Sequence, residues 1–258
     1  MAALLAALER LAPPMLAAAW DNPGLQVGDP QAPVERALVA LDPGPEQVRA
    51  AARGGCQALI THHPLILTPL KSIRLDVPQG AALALAVREG VAVIAAHTNL
   101  DAASWGVSQI LAECLGLSGV VPLEPVGNPG EGMGRVGRLA RALSLAELAR
   151  LVRERLSAPF VRCVEGTNEP IERVAVCGGA GAGLAAAALT VGAQALVTGD
   201  VRYHQARDFE GRLALLDCGH FCGERPVLEK LAGRLGEELA GQVEFRVMSG
   251  EQDPFKLY

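Results

Sequence analysis

The segments VERALVALDPGPEQVRAAARGGCQALIT (residues 34–61) and IERVAVCGGAGAGLAAAALTVGAQALVT (residues 171–198) align without a gap at a constant separation of 137 residues. Eleven of the 28 positions are identical: Glu35, Arg36, Val39, Gly44, Ala50, Ala51, Gly55, Gln57, Ala58, Leu59 and Thr61 each meet the same residue type in the second copy. Self-similarity at a fixed spacing is the mark of an internal repeat. Each copy reads as a short apolar strand, a turn rich in Gly or Pro, an Ala-rich helix, and a second strand, QALIT or QALVT. Strands that alternate with helices pair in parallel through right-handed crossovers. The expected fold is therefore α/β, built twice, as two similar α/β/α halves with largely parallel sheets.

The repeat continues more loosely outward. VAVIAAHTNLD (91–101) matches the end of LALLDCGHFCGE (213–224) at a separation of 123, which sets His97 against His220 and Asp101 against Glu224. The stretch LEPVGNPGEGMGRVG (123–137) is dense in Gly and Pro and reads as the linker. It divides the chain into a first half, 1–124, expected to be joined by the C-terminal segment 225–258, and a second half, 125–224. WDNPGLQVGDP (20–30) reads as a loop before the first strand and holds Trp20, Asp21 and Asn22.

Composition narrows the function classes. Half of the 258 residues are hydrophobic and only 3% aromatic, which suits small-residue helices on a sheet. A net charge of −5 without a long basic run argues against a dedicated nucleic-acid binder. The six cysteines form no CxxC pair and read as reduced thiols of a cytoplasmic protein. MAALLAALERLAPP at the start lacks a basic leader and reads as an amphipathic helix. Val174 to Gly199 is free of charge and long enough to span a bilayer, but the glycine turn inside it favours a buried strand, turn, helix and strand.

All five histidines, His62, His63, His97, His204 and His220, fall at or just past the ends of predicted strands. In open α/β sheets ligands gather beyond the carboxyl ends of strands. Adjacent strand residues point to opposite faces, so His62 and His63 converge on one site only if both lie past the strand end. Pro64 supports that break, because it cannot donate to a ladder. Imidazole with carboxylate suits a borderline divalent ion such as zinc, iron, manganese or nickel. His62, His63, Asp101, His220 and Glu224 offer five ligands, more than a tetrahedral structural zinc uses, and fit two metals that keep open positions. His97 binds metal, orients a ligand or carries a proton, and is the catalytic candidate. Asp200, His204 and Tyr203, with Asp21 and Asn22, are candidates to support the ligands or touch substrate.

Competing motifs are weaker. DCGHFCGE lacks the paired CxxC of a zinc finger, GGAGAG is not GxGxxG, and no GKS or GKT marks a P-loop. A phosphate near the GGAGAG turn stays open as a reading, because the following helix offers N–H groups.

WDNPGLQVGD, THHP, HTNLD, TGDVRYH and GHFCGERP, in this order along the whole chain, resemble the NIF-three-like dinuclear-metal-centre family, also catalogued as GTP cyclohydrolase type 2 homologues. The chain resembles its short form, without the middle domain of longer members. The resemblance implies two intertwined halves related by a pseudo-dyad, with two metal ions in the cleft between them, and a toroidal homohexamer. By motif it assigns His62, His63, Asp101, His220 and Glu224 as ligands and sets His97 close to the metals. The expected function is a metal-dependent hydrolase of a nucleotide-like or phosphorylated small molecule; the family name points to GTP. The alternative is a metal-binding regulatory or adaptor ring without catalysis. Neither a membrane nor a nucleic acid is an expected partner.

Overall fold

The computed structural model describes residues 1–257. Helix α1 (Ala2–Leu11) leads to strand β1 (Gly24–Val27), β2 (Arg36–Ala40), α2 (Pro45–Arg53) and β3 (Ala58–Thr61). Next come α3 (Pro78–Glu89), β4 (Ala92–Ala95), α4 (Thr98–Ala102) and α5 (Val107–Cys114). A hairpin of β5 (Ser118–Pro125) and β6 (Gly132–Leu143) precedes α6 (Leu145–Arg155) and β7 (Arg162–Val164). The second repeat supplies β8 (Ile171–Val176), α7 (Ala185–Thr190), β9 (Ala195–Thr198), α8 (Tyr203–Phe209), β10 (Ala214–Asp217) and α9 (His220–Glu224). The chain then runs through α10 (Val227–Glu238) to β11 (Glu244–Val247).

Two units result, one of Met1–Leu100 with Leu228–Glu251, the other of Asp101–Val227 with the tail from Gln252. The first holds a five-stranded sheet in the order β1-β4-β3-β2-β11, parallel except for the edge strand β1. The second holds a six-stranded sheet, β5-β6-β8-β9-β10-β7, whose parallel heart β8-β9-β10 is flanked by antiparallel strands. β3, β4, β9 and β10 are buried at every position, as strands covered on both faces must be. The charge-free run 174–199 is β8, α7 and β9, and no helix among the described residues is long and apolar enough to cross a membrane.

The duplication persists in the hydrogen bonds. Gln57 Oε1 accepts from the backbone N–H groups of Glu35 and Arg36, both at 3.0 Å. In the other unit Gln194 Oε1 accepts from Glu172 and Arg173, both at 2.9 Å. In each unit the glutamine's own N–H returns to the arginine carbonyl at 2.9 Å. These contacts close the start of β2 on β3 and of β8 on β9, where two backbone donors would otherwise lose a partner.

The outer part of the repeat needs correction. Ala92 corresponds to Ala214, Ala95 to Asp217, and the first helical residues Thr98 and His220 to each other, each 122 residues apart rather than 123. His97 therefore corresponds to Gly219, and the two histidines stand one step out of register. The fold also moves the expected boundaries. The stretch expected as a linker is the end of β5, the hairpin turn and the first half of β6, and the units divide at Leu100 and Asp101, not after residue 124. The expected loop 20–30 contains β1, an edge strand whose four residues are half-buried.

Arg135, on β6, is 1% exposed. Its guanidinium donates to the carbonyls of Ala103, Gly130, Gly132 and Gly134 at 2.6–3.1 Å and to Gln109 Oε1 at 3.3 Å. A buried charge is tolerable when every donor is met, and here the donors pin the hairpin turn to the segment that follows α4.

Replacing Gln57 or Gln194 by Ala removes the acceptor of two backbone donors, one of them exposed to water, at about 0.5–1.5 kcal/mol. Chemical denaturation of both variants should show losses of similar size; a loss in only one would mean that the copies no longer use the same brace.

Candidate metal centre

In the first unit β3 ends at Thr61, and the backbone continues past it beside β2: His62 N–H donates to the Ala40 carbonyl at 3.3 Å and His63 N–H to that of Leu41 at 3.0 Å. The Thr61 hydroxyl donates to the His63 carbonyl at 2.7 Å and closes the bend. Both rings turn the same way, with centroids 5.1 Å apart. His97, at the end of β4, joins them at 5.3 Å and 5.8 Å. The three rings each bring a nitrogen within 4.8 Å of the others.

Each ring is held through Nδ1. His62 Nδ1 lies 2.9 Å from the Ala96 carbonyl, which only accepts, so the proton sits on Nδ1 and Nε2 is the basic nitrogen. His63 Nδ1 meets Asp42 Oδ1 and His97 Nδ1 meets Asp21 Oδ1, both at 2.8 Å. Metal-binding imidazoles commonly donate their other N–H to a carboxylate or carbonyl in this way, which fixes tautomer and orientation. The Asp42 loop is fastened in turn, since Glu251 accepts from the N–H groups of Leu41 and Asp42.

The Asp21 side chain is fully buried. Burial pushes its carboxyl up, but hydrogen bonds from Thr98, His97 and the Asn22 N–H outweigh this and hold it below the usual range. Burial is also the main cause that lowers His97; the Asp21 bond opposes it, and neighbouring His62 and His63 add to it. Trp20 closes the edge of the His97 ring at 5.9 Å. Asn22 reaches elsewhere, its amide on the Ile66 carbonyl, so it shapes the loop rather than the cluster.

In the second unit His220 opens α9, and Glu224 lies one turn on, 4% exposed. His220 Nδ1 meets Asp200 Oδ2 at 2.8 Å, and its Nε2 lies 3.1 Å from Glu224 Oε2. Neighbouring ligands of one ion bound at ~2.1 Å stand about 3 Å apart, so this pair fits a divalent cation without rearrangement. Asp200 holds a left-handed backbone (φ 54°), a conformation that Asp tolerates better than most. Asp101, on α4, stands near enough to the buried Cys177 thiol to add, with Glu224, to the effect of burial, which pushes that thiol up to about 12.

The GGAGAG turn is shaped for this site. Gly179 is left-handed (φ +60°), and a Cβ there would sit 2.2 Å from Glu224 Oε1 and 3.3 Å from His220 Cε1. Thr198 Oγ1 locks the turn, donating to the Gly179 carbonyl at 3.0 Å and accepting from Gly181 N–H at 2.8 Å. His204 lies on exposed α8 beside Tyr203, with ring centroids 5.4 Å apart, and has no described bond to His220 or Glu224. Asp42 escaped the sequence reading; its place at the carboxyl end of β2, beside β3, was the signal for it.

The family model for DUF34/NIF3 (NGG1p interacting factor 3) matches residues 1–254. A Clostridium perfringens protein called GTP cyclohydrolase 1 type 2 homolog is 32% identical over 252 residues, which cover 97% of this chain and 96% of the relative. A Streptomyces coelicolor protein of the same name is 36% identical, over 91% of this chain and 85% of the relative. Among solved structures, a Bacillus cereus protein related to NIF3 superposes with a TM-score of 0.93 at 25% identity, covering 99% of this chain and 98% of that one. The two-sheet α/β architecture is shared with the Bacillus cereus structure. Matched from end to end in sequence and in fold, the chain belongs to the DUF34/NIF3 family.

Proposed function

We propose that His62, His63, Asp101, His220 and Glu224 hold two divalent metal ions, and that the protein is a hydrolase of a nucleotide-like or phosphorylated small molecule. The observation that carries this reading is the fixing of imidazoles through Nδ1 in both units, by Asp42 on His63 and Asp200 on His220. Three imidazoles and two carboxylates suit zinc, iron, manganese or nickel. Ions bound there supply Lewis acidity and a nucleophile at neutral pH. His97, oriented by Asp21 and packed against His62 and His63, is the group that moves a proton. The name of the Clostridium perfringens relative makes hydrolytic opening of a guanine ring the first reaction to try.

The test is turnover by the metal-loaded protein across nucleotides and phosphate esters, beside His97→Ala. The account expects at least one substrate, and a loss of roughly 10²–10⁴ in kcat in the variant with its metal retained. An absence of turnover throughout would leave a metal-binding protein and remove the hydrolase.

Gly179→Ala should act on the metal without substituting any ligand residue, because the added carbon displaces the Glu224 carboxylate. Metal affinity should fall about tenfold or more while the circular dichroism spectrum is kept. Gly183→Ala is the control, since nothing lies within 4 Å of its added carbon; it should leave affinity unchanged. Equal losses in the two variants would refute the role of the turn.

A further inference from the structure

A second recess in the Asp101–Val227 unit has no part in the metal ligation. It encloses about 230 Å³ at the edge of the sheet, where β7 runs antiparallel to β10. Val164, Val201, Ala206 and Leu215 give it apolar walls, and Tyr203, 71% exposed, stands over it. Its polar feature is Arg162, ion-paired with Asp217. The Asp217 side chain is 4% exposed, and it also accepts from the N–H groups of Val201 at 3.1 Å and Gly219 at 3.0 Å.

These bonds tie the recess to the candidate centre. Val201 follows Asp200 and Gly219 precedes His220, so the carboxylate that anchors Arg162 also fixes both backbone segments bearing the Asp200–His220 pair. A group bound in the recess touches Val201 and Asp217, which are joined to that pair through the chain and through these backbone bonds.

Size, shape and charge define the occupant. Pockets that hold a whole drug-sized ligand enclose roughly 300–1,000 Å³, so this recess takes one ring-sized part of a larger molecule. An exposed tyrosine ring above apolar walls suits a flat partner. Asp217 already balances the charge of Arg162, and no other cation lines the recess among the described residues. A phosphate would therefore meet a neutral pair. Arg162 presents further N–H donors beyond the one on Asp217, and these suit an uncharged acceptor such as a ring carbonyl.

Building on the hydrolase reading above, we propose that this recess is the specificity pocket of the site, and that it binds an uncharged heteroaromatic ring bearing a carbonyl acceptor. Arg162 donates to the carbonyl, Tyr203 stacks on the ring, and the rest of the substrate extends toward His220.

The experiment is calorimetric titration of the full-length protein with inosine, both as purified and after chelator treatment, with ribose and inorganic phosphate as comparison probes. Arg162→Met removes the donors, and Ala206→Trp fills the recess from a half-buried helix position. Inosine should bind with a Kd of about 1 mM or tighter, ribose and phosphate should not compete, and each variant should weaken inosine about tenfold with its metal content unchanged. Absent inosine binding, or binding that neither variant weakens, would overturn the proposal. So would phosphate binding that Arg162→Met abolishes, because the recess would then be an anion site. Titration of the chelator-treated protein decides on the pocket even if the metal reading fails.

Discussion

The hydrogen bond on Nδ1 of each candidate imidazole is the constraint around which the rest of this structure is arranged. A neutral imidazole can offer a basic nitrogen only when its other nitrogen carries the proton, and the acceptor on that proton decides which nitrogen is which. His62 uses a backbone carbonyl, and His63, His97 and His220 use Asp42, Asp21 and Asp200. Every one of these acceptors comes from a strand end or from the loop next to one. Parallel strands deliver their carboxyl ends to one edge of the sheet, so the fold supplies rings and acceptors together.

Duplication made this economical in sequence, and divergence made it specific. The brace at the start of the parallel strands is the same in both units, Gln57 on Glu35 and Arg36, Gln194 on Glu172 and Arg173. The far ends of those strands differ. One unit ends β3 with two histidines, whereas the other places a left-handed aspartate two residues past β9. The turn after the first strand differs as well: Asp42 supports His63 in one copy, and Gly179 makes room for Glu224 in the other. The brace serves folding and stayed fixed, while the strand ends were left to vary with chemistry.

The parallel heart of each unit was legible because strands buried on both faces read as continuous apolar runs, and QALIT and QALVT do so. His62 and His63 were legible because Pro64 breaks the strand after them, so that both rings can turn to one side; that His62 is itself fully buried was not legible. The hairpin β5–β6 was misread, since Gly and Pro mark a turn and a linker alike, and only the partner strand β8 distinguishes them. β1 is too short and too evenly half-buried to show alternation. The support by Asp42, the buried Arg135 and the Arg162–Asp217 pair each join residues distant in sequence. No local pattern records such pairings, and only the fold brings them together. The register slip between His97 and His220 shows the converse hazard: a matched polar spacing survived a one-residue offset of the elements that carry it.

The central claim is the proposal that His62, His63, Asp101, His220 and Glu224 are ligands of divalent metal ions. It is tested most directly by metal content per chain, measured by mass spectrometry on tag-free protein purified without chelator. Wild type, His63→Ala, His220→Ala and the control His204→Ala should be compared. The account predicts close to two ions per chain in wild type and control, and a clear loss in both His63→Ala and His220→Ala. Full metal content in either of those variants, or none in reconstituted wild type, would contradict it.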